Sequence, residues 1–249
     1  MISVINLHKS FDTVEVLKNI SINFDRGKTN LIIGQSGSGK TVLMKCIVGL
    51  LNAESGQIMY DEHDFANMSF AERTFIRKRL GMLFQGGALF DSLTVEENVI
   101  FPLNMFTKMS KEEKMERANF CLKRVNLENV NKLYPAEISG GMKKRVAIAR
   151  AIANNPNYLF CDEPNSGLDP KTAIVIDNLI SEITEEYNIT TLVNTHDMNS
   201  VMEIGDKVAF IYEGKLWWEG TRHEILKTDN KEVETFVYAS ELMRKLKTK

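Results

Sequence analysis

Gly34, Gly39, Lys40 and Thr41 stand in the spacing G-x-x-x-x-G-K-T within "IIGQSGSGKTVLMKC", a pattern whose chemistry is the holding of phosphate. Consecutive backbone N–H groups converge on phosphate oxygens only where side chains do not intrude, and Gly37 and Gly39 meet that need. The cofactor-binding stretch is therefore Gly34, Ser36, Gly37, Ser38, Gly39, Lys40 and Thr41. Lys40 would reach the β- and γ-phosphates as a point charge, and the Thr41 hydroxyl would hold Mg²⁺. An ordinary glycine-rich turn explains the glycines but leaves the Lys-Thr pair unexplained.

Hydrolysis requires more than a cradle. "YLFCDEP" ends an apolar run on Asp162 and Glu163, so Asp162 is read as a metal anchor and Glu163 as the carboxylate that polarises the attacking water. His196 follows the run "TTLVN" by one residue and is read as a γ-phosphate contact at the same sheet edge. Ser139 precedes Gly140, Gly141 and an apolar helical pattern; it reads as an N-cap, and the capped helix start as a second anion site. Lys143, Lys144 and Arg145 read as a solvated face. With a net charge of −2 over 249 residues, no nucleic-acid partner is expected.

These residues need elements to position them. "TNLII", "YLFCD" and "TTLVN" are short continuous apolar runs, each followed by a helical stretch, which suits a parallel sheet buried on both faces. The segments "SVINL" and "ISINF" alternate instead and predict an antiparallel sheet with one wet face. From about 86 to 154 the pattern is mostly helical, with boxes at Thr94–Glu97 and Ser110–Glu113 that predict helix starts. A third box, Thr221–Glu224, predicts a helix near the C-terminus, and "KEVETFVYASELMRKLKTK" reads as a charged amphipathic tail. Cys46, Cys121 and Cys161 are odd in number and show no C-x-x-C spacing, which argues against a disulfide framework or a thiolate zinc site. Neither an export signal nor an apolar run of spanning length is read from the sequence.

The glycine loop, Gln85, the Ser-Gly-Gly helix, the Asp-Glu strand, "SGLDP" and His196, in that order, resemble the nucleotide-binding subunit of ATP-binding-cassette (ABC) transporters. The resemblance implies an α/β fold: a P-loop NTPase core with an antiparallel β subdomain and an inserted helical subdomain. It divides the chain into an ATPase domain over 1–225, with the insertion at about 86–154, and a C-terminal helical tail over 226–249. It also implies ATP and Mg²⁺ as cofactors, Phe11 stacking on adenine, and Gln85 sensing γ-phosphate and metal. Ser139, Gly140 and Gly141 would grip the γ-phosphate bound to a second copy, and Asp169 would reach across the same interface. Asp169-Pro170 also reads as an N-cap followed by a first-turn proline. The catalytic set is then Lys40, Gln85, Glu163 and His196, and the metal set Thr41, Gln85 and Asp162.

Met142, where the family's signature usually has glutamine, and "FQGGALFDSLTVEENV" resemble one branch, the Mla-type ATPases of lipid transport. That branch implies a phospholipid cargo, an integral membrane permease, an MCE-type substrate-binding protein and a small regulatory subunit. The alternatives are another ABC importer or exporter subunit, or an iron–sulfur-assembly ATPase. The expected location is the cytoplasmic side of the inner membrane. A groove lined by residues from Ala88 to Phe106 would take a permease helix, and the tail from Lys231 would lie elsewhere, with the sister subunit as one resting place. In "GKLWWEG" one of Trp217 and Trp218 is expected to be buried and the other exposed, unless a C-terminal helix covers both.

Overall fold

Five of the strands alternate between two cores, and that alternation explains why their sequences are apolar throughout. The computed structural model describes residues 1–239. In it β3 (Thr29–Ile33), β6 (Leu80–Leu83), β7 (Tyr158–Asp162), β8 (Thr190–Asn194) and β9 (Lys207–Tyr212) run parallel, with β10 (Lys215–Gly220) antiparallel on β9. The order across this sheet is β10-β9-β3-β8-β7-β6. Leu31, Ile33, Leu159, Cys161, Val193 and Phe210 face one core. Ile32, Phe160, Leu192 and Ile211 face the other. Both faces are dry, as parallel strands require.

The second core is closed by a four-stranded antiparallel sheet of order β2-β1-β4-β5: β1 (Ile2–Phe11), β2 (Val14–Phe24), β4 (Ser55–Tyr60) and β5 (His63–Asp64). Helix α1 (Lys40–Ile47) lies between the two sheets, with Cys46 and Met44 buried as core. A short helix α2 (Phe70–Arg77), started by a Ser69–Glu72 capping box, leads into β6. Between β6 and β7 come α3 (Val95–Phe106), α4 (Lys111–Arg124) and α5 (Gly140–Ile152). The Thr94 and Ser110 boxes form as expected. On α4 Ala118 and Leu122 are buried while Met115 is 37% exposed. Helices α6 (Pro170–Glu186) and α7 (Met198–Ile204) complete the first core.

The third box fails to start a helix. Thr221 and Glu224 make the reciprocal bonds, yet only a 3₁₀ turn follows, Ile225–Lys227. Asn230 then caps Val233, and the helix begins there as α8 (Lys231–Val237). Of the tail expected from Lys231, α8 packs on its own chain: the Phe236 ring lies 5.3 Å from that of Phe210, and Trp217 Nε1 donates to Glu232 at 3.1 Å. Trp217 is 40% exposed while Trp218 is half-buried against the first core, so the alternation holds but neither ring is fully buried. Residues 240–249 of the expected tail lie outside the described residues. Among the described residues no helix is long and apolar enough to cross a membrane.

Candidate functional site

The C-terminal ends of β3, β7 and β8 meet at one edge, where Asp162 pairs in register with Asn194 and Asn194 with Ile32. Each strand releases its next residues toward the same space, the crevice where open α/β sheets bind ligands. A cavity of about 880 Å³ lies there, large enough for a nucleotide. Residues of the glycine loop, Lys40, Thr41, Gln85, Glu163 and His196 line it.

The loop is built to pass close to other backbone. Gly34 has φ +148°, and a Cβ there would stand 2.2 Å from the carbonyl oxygen of Ile211, so no other residue fits. Gly39 begins α1 without a side-chain cap, which leaves the first N–H groups of the helix available to a ligand. Ser38 is 8% exposed and its hydroxyl has no partner, while Ser36 and Gly37 are exposed. Lys40 is 7% exposed; its Nζ donates to the carbonyls of Gly34 at 2.8 Å and Gln35 at 3.0 Å. Burial lowers its pKa, and the Glu163 and Asp162 carboxylates oppose that shift.

Thr41 Oγ1 lies 3.5 Å from Asp162 Oδ1, which also accepts from Asn194 Nδ2 at 3.0 Å. Among the described residues no three His, Cys, Asp or Glu side chains converge to hold a metal. One hydroxyl and one carboxylate are the donor set of Mg²⁺ that takes its remaining ligands from phosphate and water. The residues present therefore fit that ion.

His196 Nδ1 lies 2.9 Å from Oε2 and 3.0 Å from Oε1 of Glu163. A carboxylate only accepts, so Nδ1 carries the proton in this contact. Glu163 itself has φ +49°, a left-handed backbone that a side chain of its size rarely adopts.

Other expected site residues lie outside the cavity. Phe11 is 43% exposed at the β1–β2 turn with Lys9 Nζ 5.1 Å from its ring; Val16, from the same hairpin, lines the cavity instead. Ser139 caps α5 by accepting from Met142 N, and Asp169 caps α6 by accepting from Thr172 N. The two caps are neighbours: a Cβ on Gly141 would stand 2.7 Å from Thr172 Cγ2. Ser139, Gly140 and Asp169 are exposed and none of them faces the glycine loop of its own chain.

Three features escape sequence reasoning. Asn194 holds Asp162 across two strands and is visible only once their register is known. Thr235, Phe236 and Ala239 bring α8 to the rim of the cavity. Lys144 is not on a solvated face but 5% exposed; Ala147, Ile148 and Ala151, buried three, four and seven residues on, are the periodic signal that marks its stripe.

Beside the site Asp177 is 2% exposed with Oδ1 unpartnered. Burial pushes its pKa up to about 6, against hydrogen bonds from Ser200 and Asn165, with Asp197 and Glu203 adding to the rise. A folded-state pKa above the unfolded value means that the native state binds the extra proton, so stability falls as pH rises from about 4 to 6. Asp177→Asn is expected to raise Tm at pH 7.5 by about 3–6 °C, roughly 1–2 kcal/mol, and to leave it nearly unchanged at about pH 3.5, below both pKa values. Thermal unfolding at the two pH values checks this; an equal shift at both would exclude the ionisation of Asp177 as the cause.

Residues 17–166 match the family described as ABC transporter. The chain is 38% identical over 242 residues to methionine import ATP-binding protein MetN 2 of Bacillus cereus, covering 95% of this chain and 71% of that protein. A dimeric post-hydrolysis structure of the ATP-binding cassette MJ0796 with ADP and Pi superposes with a TM-score of 0.82 at 34% identity, over 89% of this chain and 99% of that one. The structure of cbiO1 from Clostridium perfringens, part of the ABC transporter complex cbiONQ, has a TM-score of 0.84 at 30% identity over 98% of each chain.

Proposed function

Because the chain belongs to the ABC transporter family and is an ATP-hydrolysing cassette, we propose that it works as a pair of copies beneath a membrane permease and drives solute uptake. The observation that carries the reading is the convergence of the glycine loop, the Thr41–Asp162 pair and the Glu163–His196 pair on one cavity. The loop N–H groups and Lys40 bind the β- and γ-phosphates. Thr41, Asp162 and Gln85 would hold Mg²⁺, whose charge would offset that of the bound phosphates. Glu163 orients and polarises the attacking water, and His196, kept in place by the carboxylate, contacts the γ-phosphate. Ser139, Gly140, Gly141 and Asp169 face the nucleotide of the second copy, a role supported by the exposure of Ser139, Gly140 and Asp169 outside their own cavity. Phe11 stacks on adenine from the hairpin, beside Val16.

The cargo is not read by any residue of this site. The name of the Bacillus cereus relative favours a methionine-like amino acid over the phospholipid expected from the sequence. The lipid reading rests on Met142 and residues 84–99, and nothing in the relatives above supports an MCE-type protein or a small regulatory subunit. Isolation from membranes with the bound permease, followed by identification of that partner, separates the two cargoes. Recovery of the chain without any permease would count against a transporter role, and the peripheral, cytoplasmic-side location would fall with it.

The permease contact is assigned to an apolar groove of about 380 Å³ lined by Met82, Phe84, Ala88, Phe90, Phe101 and Phe106. Buried Asn98 shapes it, accepting from Phe90 N at 2.8 Å and donating to the carbonyls of Phe90, Leu93 and Thr94. Phe84 adjoins Gln85, so the groove sits next to the nucleotide-facing segment. The Phe90 ring, 42% exposed, lies 4.6 Å from that of Phe101 and is tilted 46° to it, whereas Leu89 packs on the core and is unsuited to substitution. Phe90→Glu is expected to cut permease recovery at least tenfold while ATP binding stays within about twofold, on the order of losing one interface anchor. Undiminished recovery would move the interface elsewhere.

A further inference from the structure

Lys144 presents an ammonium group to the interior. It lies on the buried face of α5 at 5% exposure, a placement that is costly unless the charge is well partnered. Burial lowers its pKa, and the nearby Cys161, Glu163 and Asp162 oppose that shift. Its Nζ donates to the carbonyl oxygen of Gln85 and stands 3.5 Å from that of Glu163. One side chain thus joins α5, the segment after β6 and the turn after β7. It does not line the nucleotide cavity.

The Glu163 end of this bridge is under strain. With φ +49° the residue occupies a region that persists only where its surroundings hold it. Its N–H donates to the Asn194 carbonyl at 3.0 Å, and its own carbonyl faces Lys144. Both peptide groups flanking the Glu163 Cα are therefore pinned, and the direction of the carboxylate toward His196 follows from them.

We propose that Lys144 is a positioning residue for hydrolysis, fixing the carbonyls of Gln85 and Glu163 so that both side chains move with α5. The inference rests on the reading of Gln85 and Glu163 as nucleotide-facing groups. It adds a path between the two sites of a dimer. Helix α5 starts at the Ser139 cap, about 7.5 Å along the axis from Lys144 at 1.5 Å per residue. A displacement of that start by the second copy's nucleotide reaches Gln85 and Glu163 through one rigid helix and one ammonium.

The test is steady-state ATP hydrolysis with Mg²⁺ on the full chain, together with the ATP dissociation constant. Lys144→Met removes the donor at similar length. It is expected to lower kcat about tenfold, the scale of one charge-assisted hydrogen bond, with KM and Kd within about twofold. Lys144→Arg keeps the donors and is expected to return kcat to within about threefold of the parent. Gln85→Ala should cost less in the Lys144→Met background than in the parent, since the two act through one contact. Should Lys144→Met not fold, Lys144→Gln takes its place in the same comparison. A Lys144→Met kcat within twofold of the parent, or an arginine variant as slow as the methionine one, overturns the inference alone. A parent chain that neither binds nor hydrolyses ATP overturns the nucleotide reading, and this inference with it.

Discussion

Glu163→Gln is expected to lower kcat for ATP by about 10²–10⁴-fold, the range supplied by a positioned general base, and to leave ATP affinity within about twofold. The substitution keeps the shape of the side chain and removes its charge and basicity. What holds triphosphate is untouched: Lys40, the glycine loop and the Thr41–Asp162 pair do not depend on the Glu163 carboxylate. The contact to His196 changes character, because an amide oxygen accepts the Nδ1 proton less strongly than a carboxylate at 2.9 Å does. A loss confined to kcat marks an interaction made in the transition state. The stalled variant should accumulate as an ATP-dependent dimer, seen by light scattering at saturating ATP and Mg²⁺. A variant that still turns over at a tenth of the parental rate or better would assign the base elsewhere. A persistent monomer would count against closure of two copies over two nucleotides.

Much of this arrangement is legible in the sequence because its elements are held by local rules. The runs "TNLII", "YLFCD" and "TTLVN" coincide with β3, β7 and β8, since strands covered on both faces have no polar face to blur their limits. The capping boxes at Thr94 and Ser110 set helix starts through bonds between residues three apart. The same rule misleads at Thr221. There the reciprocal bonds form, but Asn230 nine residues later offers a competing cap before a second turn is built. Local bonding fixes where a helix can begin and not how far it runs.

What stays hidden depends on register and on the third dimension. The spacing of Lys143, Lys144 and Arg145 suggests three solvated charges, yet Lys144 turns inward and Arg145 donates to the Asn126 carbonyl at 2.9 Å. Arginine and lysine stems bridge apolar surface to reach backbone oxygens, so a charge count along a helix does not give its wet face. The docking of helix α8 is the larger omission. Its charged sequence reads as a tail, while Val233 and Val237 are buried and Phe236 reaches the nucleotide cavity. Two valines four residues apart mark an apolar face but do not say which surface it covers.

Lys40→Ala has a different signature, a loss of binding. Its ammonium is buried at the floor of the loop, where low exposure strengthens a contact to phosphate relative to water. A charge-assisted hydrogen bond contributes roughly 1.5–3 kcal/mol, so removing the donor is expected to weaken ATP binding by at least about 10–100-fold. The loop itself loses two bonds, from Nζ to the carbonyls of Gly34 and Gln35, and with them part of the geometry that converges its N–H groups. The expected Kd change therefore lies at the upper end of that range. Titration of ATP with Mg²⁺ measures it directly, and thermal unfolding gives an independent readout. Ligand stabilises the native state by RT ln(1 + [L]/Kd), so ATP at a hundred times the parental Kd should raise the parental Tm clearly. At the same concentration the Lys40→Ala shift should nearly vanish, while that of Glu163→Gln is kept. An alanine variant whose Kd stays within fivefold of the parent would mean that Lys40 serves only to brace the loop, and the phosphate would have to be held by backbone N–H groups and the metal alone.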